Sequence, residues 1–187
     1  PVFTIDNLDV RHADQRAIHL NHIYHNGISA IEDWKKAGFV ERMSCRASAD
    51  FSPAFLRMTG LSEEDVVKSN KWDELSEEQI KNLSRTGHLR WCAFHYSIGY
   101  SQMTNEEFEL RIQQYCDEKR QNGHSNIRIQ KDADRQKHIC LTDWDNLDAL
   151  SVKYRQITGD AEKDYKKDDT NNVLMFPKVL CTTYDNN

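Results

Sequence analysis

The sequence predicts a mainly α-helical fold with short β pieces, and three observations lead to that class. The first is one continuous apolar stripe with steps of three and four residues, formed by Ile80, Leu83, Gly87, Trp91, Phe94 and Ile98. The second is the capping box Ser76-Glu77-Glu78-Gln79 directly before this stripe, with Gly99 directly after it. The third is that several other segments repeat this arrangement of a Ser- or Thr-led start, a helical spacing and a glycine stop.

The first third of the chain predicts two longer helices after a short extended lead-in. Val2–Asp9 alternates apolar and polar residues, which suits a strand remnant. We expect one helix from about Asp14 to Ala37, ended by Gly38. A second is expected from about Ser44 to Met58. Pro53 either kinks this helix or restarts it with Ser52 as the N-cap, and Gly60 stops it.

Besides these two helices and the helix of the apolar stripe, five further elements are expected. Ser62-Glu63-Glu64-Asp65 resembles a helix start, and Thr104-Asn105-Glu106-Glu107 opens a helix with its apolar face at Phe108, Ile112 and Tyr115 and its end at Gly123. Asn126–Gln130 alternates Ile127 and Ile129, which predicts a short strand. A further helix carries Leu147, Leu150, Tyr154 and Ile157 and ends at Gly159. A polar loop, Asp160–Asp169, precedes a last helix with Val173, Phe176 and Leu180.

Composition limits the classes of function. The chain has 187 residues, 38% of them hydrophobic, and a net charge of −5, and it has no block of Lys and Arg, so nucleic-acid binding is not expected. No apolar run approaches the roughly 20 residues that span a bilayer, so membrane insertion is not expected either. The five cysteines are scattered and form no CxxC pair, which indicates reduced thiols and a cytoplasmic protein.

We expect three parts along the chain. Residues 1–13 are a lead-in, residues 14–75 a first helical half, and residues 76–187 a second half with an insertion at 101–133. The residue types of His19, Trp34 and Pro53 occur again in the same order at His88, Trp144 and Pro177. A true internal repeat is therefore an open alternative. Because the chain opens on Pro1, we expect it to be part of a longer protein, with Val2–Asp9 at the edge of an attached domain.

Several motifs of the second half resemble the ryanodine-receptor repeat (RyR) domain as found in bacterial proteins. They are His88-Leu89-Arg90-Trp91 with Gly99-Tyr100, then Lys137-His138-Ile139-Cys140-Leu141 with Trp144-Asp145-Asn146-Leu147, and finally Asp168–Leu180. The first half, from Ala17 through Trp34 to Leu56, is similar to the segment that precedes this repeat. Two positions depart from the pattern: Ile139 stands where the family usually has proline, and Gly87 where an acidic residue is common.

The resemblance implies a helical, non-enzymatic regulatory module. In bacterial members this region is often attached to a nucleotide-binding domain of the kind found in Trk-type potassium-uptake regulators, so an attached domain is an expected partner. The main hypothesis is therefore the sensing of a small nucleotide-like ligand. A protein–protein interaction or scaffold module without such a ligand is the alternative, and a hydrolase or transferase acting on a nucleotide is a third hypothesis.

The candidate ligand-binding residues come from the resembling motifs: His88, Arg90, Lys137, His138 and Trp144. A cation beside an aromatic face can hold an anionic, planar ligand. We expect Arg90, Lys137, His138 and Trp144 near segment ends or in a connection, where binding residues concentrate. The alternative is that Lys137 and His138 cap or bridge helices.

No metal, cofactor or catalytic group is expected. His88, Cys92 and His95 share a helical face at spacings that zinc could use, but no fourth ligand is identifiable, so a hydrogen-bonded histidine beside a buried thiol is favoured. His19, His22 and His25 spread around a helix, and Cys45 is expected to be buried. Neither a Walker loop nor GxGxxG, GxSxG or HExxH occurs in the sequence.

Overall fold

A computed structural model describes residues 14–25, Gly27 and residues 29–181. The described part is mainly α-helical with one small three-stranded sheet, which confirms the predicted class. The expected lead-in, with its strand-like Val2–Asp9, lies outside the described residues. Two compact units divide the chain: Pro1–Leu83 with Asn172–Asn187, and Ser84–Asn171. The two boundaries fall inside helices.

The described part of the first unit is built from short helices. They are α1 (Gln15–His25), α2 (Ala30–Lys36), α3 (Phe39–Asp50), α4 (Ser52–Thr59), α5 (Glu63–Val67), a 3-10 turn (Lys71–Glu74), the start of α6 (Glu77–Ser97), the end of α9 (Tyr165–Leu174) and α10 (Phe176–Leu180). Helix α1 packs on α2 and α3. Two apolar clusters form the interior, one around Trp72 and Phe176 and the other around Leu20 and Cys45.

The prediction of a single helix from Asp14 to Ala37 is wrong, because two helices form in this range. Helix α1 ends at His25, and α2 begins at Ala30 because Ser29 acts as its N-cap, its hydroxyl accepting a hydrogen bond from the Glu32 N–H at 3.2 Å. A helix does end next to Gly38 as expected, with Ala37 as the C-cap of α2, but it does not end through a left-handed glycine. Gly38 has ordinary extended angles, φ −69° and ψ 165°, and it is the N-cap of α3, which starts at Phe39 rather than Ser44.

Pro53 restarts the second predicted helix rather than kinking it. Helix α4 begins immediately after α3 with Pro53 in its first turn, where a missing N–H costs nothing. The N-cap is Phe51 and not Ser52 as expected. Gly60 ends α4 in the left-handed region with φ 72°, as predicted. Ser62 forms a complete capping box with Asp65 at the start of α5.

The second unit carries the sheet and the longest helices. It contains most of α6, then β1 (Ser101–Gln102), α7 (Asn105–Asn122), β2 (Lys131–Asp132), β3 (Lys137–His138), a 3-10 turn (Trp144–Asn146), α8 (Leu147–Thr158) and most of α9. Strand β3 lies in the middle of the sheet, parallel to β1 and antiparallel to β2. The largest apolar cluster of this unit includes Phe108, Ile112, Leu147 and Tyr165.

The predicted caps of α6 and α7 are confirmed. Ser76 and Gln79 exchange side-chain and backbone hydrogen bonds before α6, and Thr104 does the same with Glu107 before α7. At the end of α6, Gly99 has φ 91°. The Tyr100 N–H there donates to the His95 carbonyl at 3.0 Å, and the Gly99 N–H donates to the Tyr96 carbonyl, which together form a Schellman motif.

The buried face of α6 is rotated from the predicted stripe. Ser84, His88, Cys92 and His95 are the residues of this helix that are buried in the second unit, whereas Trp91 and Phe94 are only half-buried. The apolar stripe therefore predicted the helix correctly but did not predict which face of it is buried. The difference arises because the buried histidine side chains form hydrogen bonds there, and a hydropathy pattern counts histidine as polar.

Two predictions near the end of the chain are wrong. No strand forms at Asn126–Gln130; Ile129 is buried in the apolar cluster, and pairing begins at Lys131. The expected loop to Asp169 is shorter, because the Asp164 carboxylate accepts hydrogen bonds from Lys166 N and Lys167 N and so starts α9 at Tyr165. A short second helix, α10, follows with Pro177 in its first turn.

Within the described part, no helix is long and apolar enough to cross a membrane.

Candidate functional site

Five aromatic side chains of the second unit form one group, which we call the imidazole–indole cluster: His88, Trp91, His95, His138 and Trp144. Ring centroids lie 6.0 Å apart for His88 and Trp91, and 5.7 Å for His88 and Trp144. Trp91 is also 4.2 Å from His95 and 4.8 Å from His138. The helix and the later segments that carry these residues are far apart in the sequence, so the contacts depend on the tertiary fold.

Three elements bring the cluster together. Helix α6 supplies His88, Trp91 and His95, which follow one another by three and four residues and so project from the same side. Strand β3 supplies His138. The 3-10 turn before α8 supplies Trp144, which is 3% exposed. Its indole Nε1 is buried and has no hydrogen-bond partner among the described residues.

His88 joins three segments of the second unit. Its Nδ1 lies 3.0 Å from Asp169 Oδ2 on α9, and its Nε2 lies 2.9 Å from the carbonyl oxygen of Thr142. Burial disfavours the charged ring, but the hydrogen bonds with Asp169, Cys92 and the Thr142 carbonyl outweigh it and raise the pKa of His88 to about 10. At neutral pH His88 is therefore an imidazolium that donates from both nitrogens.

His138 is the opposite case. Its Nδ1 accepts a hydrogen bond from the Cys140 N–H at 3.1 Å, which places the ring proton of the neutral form on Nε2. Burial and the repulsion of His95, Lys131 and His88 lower the pKa of His138 to about 3. The cluster thus holds a charged imidazole and a neutral imidazole in the same interior.

His95 is also held in its neutral form. Its Nδ1 lies 3.0 Å from the Trp91 carbonyl oxygen, which can only accept, so Nδ1 carries the proton. Burial is the main reason that the pKa of His95 is lowered, and the positive charges of Lys131 and Arg90 lower it further. The Nε2 atoms of His95 and His138 have no hydrogen-bond partner within the part of the chain that the structure describes.

Lys131 lies at the edge of this cluster and gives it a positive face. The antiparallel register pairs Lys131 with His138, so both are at the same position across β2 and β3. The Lys131 ammonium is 5.1 Å from the centre of the Tyr100 ring, and that ring is 5.3 Å from His95. Among the described residues no carboxylate forms an ion pair with Lys131. We call Lys131, Tyr100, His95 and His138 the cationic face.

The structure separates the five residues that the sequence singled out. His88, His138 and Trp144 meet in the imidazole–indole cluster, where His88 is 1% exposed and His138 8%. Lys137 lies next to His138 on β3, but alternation along a strand turns its side chain to the other face, where Nζ is 3.0 Å from Glu107 Oε2. Arg90 lies in the middle of α6, so its expected position near a segment end is wrong.

The histidines and cysteines at metal-like spacings form hydrogen bonds and ion pairs within the chain. Cys92 Sγ lies 3.4 Å from His88 Nε2, so His88 is hydrogen-bonded beside a buried thiol, which is the interpretation that the sequence favoured. His22 Nδ1 lies 2.6 Å from Asp33, and His25 Nε2 lies 2.9 Å from Glu41. Cys45 is buried, and none of the five cysteines, all within the described residues, forms a disulfide. No group of three potential metal ligands occurs among the described residues.

Comparison of the chain with protein-family models, with curated proteins and with solved structures yields no match. The site is therefore characterised by its own geometry. Sequence reasoning missed Lys131 and Asp169, which complete the cationic face and the His88 pair. Neither lies in an apolar pattern. Asp169 is 81 residues from His88 in the sequence, and Lys131 is placed opposite His138 by the pairing of β2 and β3. One signal could have identified Lys131: it directly follows the alternating segment Asn126–Gln130, for which the sequence predicts a strand.

Proposed function

We propose that this chain is a non-enzymatic regulatory module of the ryanodine-receptor-repeat type. It responds to an anionic, nucleotide-like ligand at the cationic face and passes that state to an attached domain. The observation that carries the proposal is the convergence of three separate motifs, at His88, His138 and Trp144, into one cluster beside Lys131. The resemblance of these motifs to that repeat supplies the regulatory role.

Electrostatics favour an anion at this face. Burial is the main reason that His138 stays neutral, and the positive charges of Lys131 and His88 also oppose its protonation. The same potential that disfavours another positive charge attracts a negative one. Lys131 is half-buried and lies at the edge of the face, so its ammonium is the group that a phosphate or carboxylate would meet first.

A regulatory role also suits the state of the histidines. General acid–base catalysis works best with a group whose pKa is close to the working pH. The pKa of His88 is raised to about 10 and that of His138 is lowered to about 3, so neither exchanges protons near neutral pH. Both rings instead connect α6, β3 and α9, and a bound anion would change the stability of these connections.

A thermal-shift series tests this proposal. We expect the melting temperature to rise with at least one of ATP, AMP, NAD and a cyclic dinucleotide, because a ligand that binds only the folded state stabilises it by about 2.7 kcal/mol at 100 times its Kd. Lys131→Met should reduce the rise, because it removes the ammonium that the anion would meet. Lys137→Met is the matched control and should retain it. If none of these compounds stabilises the wild type at millimolar concentration, the proposal is wrong.

An interaction module is the second candidate, and one surface favours it. Leu89, Ala93 and Tyr96 follow one another at helical spacing on the exposed side of α6, where Leu89 is 53% and Tyr96 50% exposed. Light scattering separates the two candidates. Self-association that Leu89→Glu abolishes, and that Lys137→Ala and His138→Ala leave intact, would support the interaction module.

A further inference from the structure

A pocket lies in the second unit, and none of its lining residues belongs to the cationic face. It is a pocket of about 420 Å³ between α7 and α8, lined by Tyr115, Cys116, Lys119, Arg120, Tyr154, Thr158 and Asp160. Helical spacing explains the lining, because Tyr115 and Lys119 are four residues apart on α7, and Tyr154 and Thr158 four apart on α8. The volume falls within the range of about 300–1,000 Å³ typical of small-molecule sites.

The inner wall of the pocket is aromatic and held in place. Tyr115, Cys116 and Tyr154 pack against the apolar cluster that contains Leu147 and Tyr165. The Tyr154 ring lies 6.2 Å from the Tyr165 ring at 79°, an edge-to-face arrangement. Two phenol rings fixed in this way offer apolar surface to a planar group with little loss of side-chain freedom.

Some polar groups of the pocket already form hydrogen bonds within the chain, and others have few partners there. Thr158 donates to the Tyr154 carbonyl at 2.8 Å and accepts from the Asp160 N–H at 3.2 Å, so its hydroxyl is used within the chain. Asp160 Oδ1 accepts from the Glu162 N–H at 3.1 Å. Within the described part of the chain, Arg120 pairs only with the exposed Asp117, at 3.1 Å.

Lys119 is the least engaged cation of the pocket. Its ammonium lies 5.7 Å from the centre of the Tyr115 ring, and no ion pair with a carboxylate is formed among the described residues. An exposed pair such as Arg120 and Asp117 contributes little, so Arg120 can exchange that partner for another anion. Two cations and one partly engaged carboxylate leave the lining net positive.

We infer that this pocket binds a planar aromatic molecule that carries a negative group, with the ring against Tyr115 and Tyr154 and the anion at Lys119 and Arg120. Two sources share this chemistry, a nucleoside monophosphate and an aryl carboxylate. The pocket shares no residue with the cationic face, so its binding is independent of the proposed function. It does not require the cationic face to bind anything.

Cys116 provides the test, because it lines the pocket and is partly accessible. Cys45, Cys92 and Cys140 are buried, so in a Cys181→Ser background an alkylating agent should modify Cys116 before them. The rate is read from the Cys116 peptide by mass spectrometry. Four probes are compared at equal concentration: AMP, adenosine, ribose 5-phosphate and indole-3-acetate.

AMP or indole-3-acetate should slow the alkylation of Cys116 about tenfold, since a bound ring covers the thiol. Adenosine lacks the anion and ribose 5-phosphate lacks the aromatic ring, so each should protect far less. Protection by AMP alone assigns the nucleotide source, and protection by indole-3-acetate alone assigns the aryl carboxylate. Equal protection by ribose 5-phosphate, or no protection by any probe, would overturn the inference.

Variants connect protection to the pocket. Lys119→Met and Tyr115→Leu should each remove most of the protection, with circular dichroism showing that both remain folded. Lys167→Met alters an exposed lysine outside the pocket and should leave protection unchanged. Lys131→Met distinguishes this site from the proposed function. If protection is lost in Lys131→Met and kept in Lys119→Met, the ligand site is the cationic face and the pocket inference is wrong.

Discussion

His88 Nδ1 lies 3.0 Å from Asp169 Oδ2, with 2% of the histidine side chain and 18% of the aspartate side chain exposed. This pair joins α6 to α9 across 81 residues of sequence. It is the most deeply buried ion pair among the described residues of the second unit. The energetic consequence is asymmetric, because a buried charge that loses its partner is costly even where the intact pair contributes little.

Asp169→Asn should strongly destabilise the protein. The substitution leaves His88 without the carboxylate that supports its charge, and breaking a buried pair in this way costs about 3–5 kcal/mol. Asp168→Asn is the matched control: Asp168 is 65% exposed and pairs with Lys163, so its loss should cost roughly 0–1 kcal/mol. Urea unfolding at neutral pH measures both. Equal effects of the two substitutions would contradict the structural role of the pair.

The contribution of His88 should depend on pH with a definite sign. The folded-state pKa is raised to about 10 from the ordinary 6.5, so the folded state binds the proton more tightly. The stabilisation is fully present below pH 6.5 and is lost as the pH rises to 10. The difference in unfolding free energy between wild type and Asp169→Asn should therefore shrink from about pH 6 to pH 10. A constant difference would show that His88 does not titrate in this window.

The sequence was sufficient for the helices that begin and end with strong local signals. Ser62, Ser76 and Thr104 mark helix starts and Gly60, Gly99, Gly123 and Gly159 mark helix ends, and all of these predictions are confirmed. They succeed because a cap or a left-handed glycine is decided by neighbouring residues. Ser29 and Asp164 were overlooked as caps, and the helix starts directly after them were missed for that reason.

The site could be predicted only in part. His88, His138 and Trp144 were identified and do meet, but their partners Asp169 and Lys131 could not be. The Asp169 pairing depends on the packing of α9, 81 residues from His88, and the Lys131 pairing depends on the β2–β3 register, which no cap or apolar pattern in the sequence specifies. Lys137 was predicted as a site residue but lies outside the cluster. It is the neighbour of His138 on β3, and neighbouring residues of a strand point to opposite faces.

Lys131→Met should raise the pKa of His95 towards its ordinary value. Burial remains the main cause of the lowered pKa, but the positive charge of Lys131 is removed. Lys137→Met is the control, because Lys137 pairs with Glu107 on the opposite face of β3 and should not affect His95. A ¹H–¹³C NMR titration of the imidazole measures both. An unchanged His95 pKa in Lys131→Met would mean that Lys131 does not act on the cationic face.

Tyr165→Phe should leave stability unchanged or raise it. The Tyr165 hydroxyl is buried and has no hydrogen-bond partner among the described residues, and burial raises the pKa of this phenol, so it stays neutral. Removing an unpaired buried polar group avoids a penalty of about 1–3 kcal/mol. Urea unfolding tests this. A clear loss of stability would show that the hydroxyl has a bound partner, such as an ordered water molecule.

Ser151→Ala, at a residue bonded to the Tyr165 backbone, should have the opposite effect. The Ser151 hydroxyl is buried, accepts the Tyr165 N–H at 2.9 Å and donates to the Leu147 carbonyl at 2.8 Å. Alanine would leave the Tyr165 N–H without its partner at the start of α9, at a cost of about 1–3 kcal/mol. Ser97→Ala is the control, since its hydroxyl is exposed and donates only to the Phe94 carbonyl. If urea unfolding finds Ser151→Ala as mild as the control, Ser151 does not anchor α9 to α8. The Asp169 carboxylate, one turn further along α9, would then be positioned without this anchor.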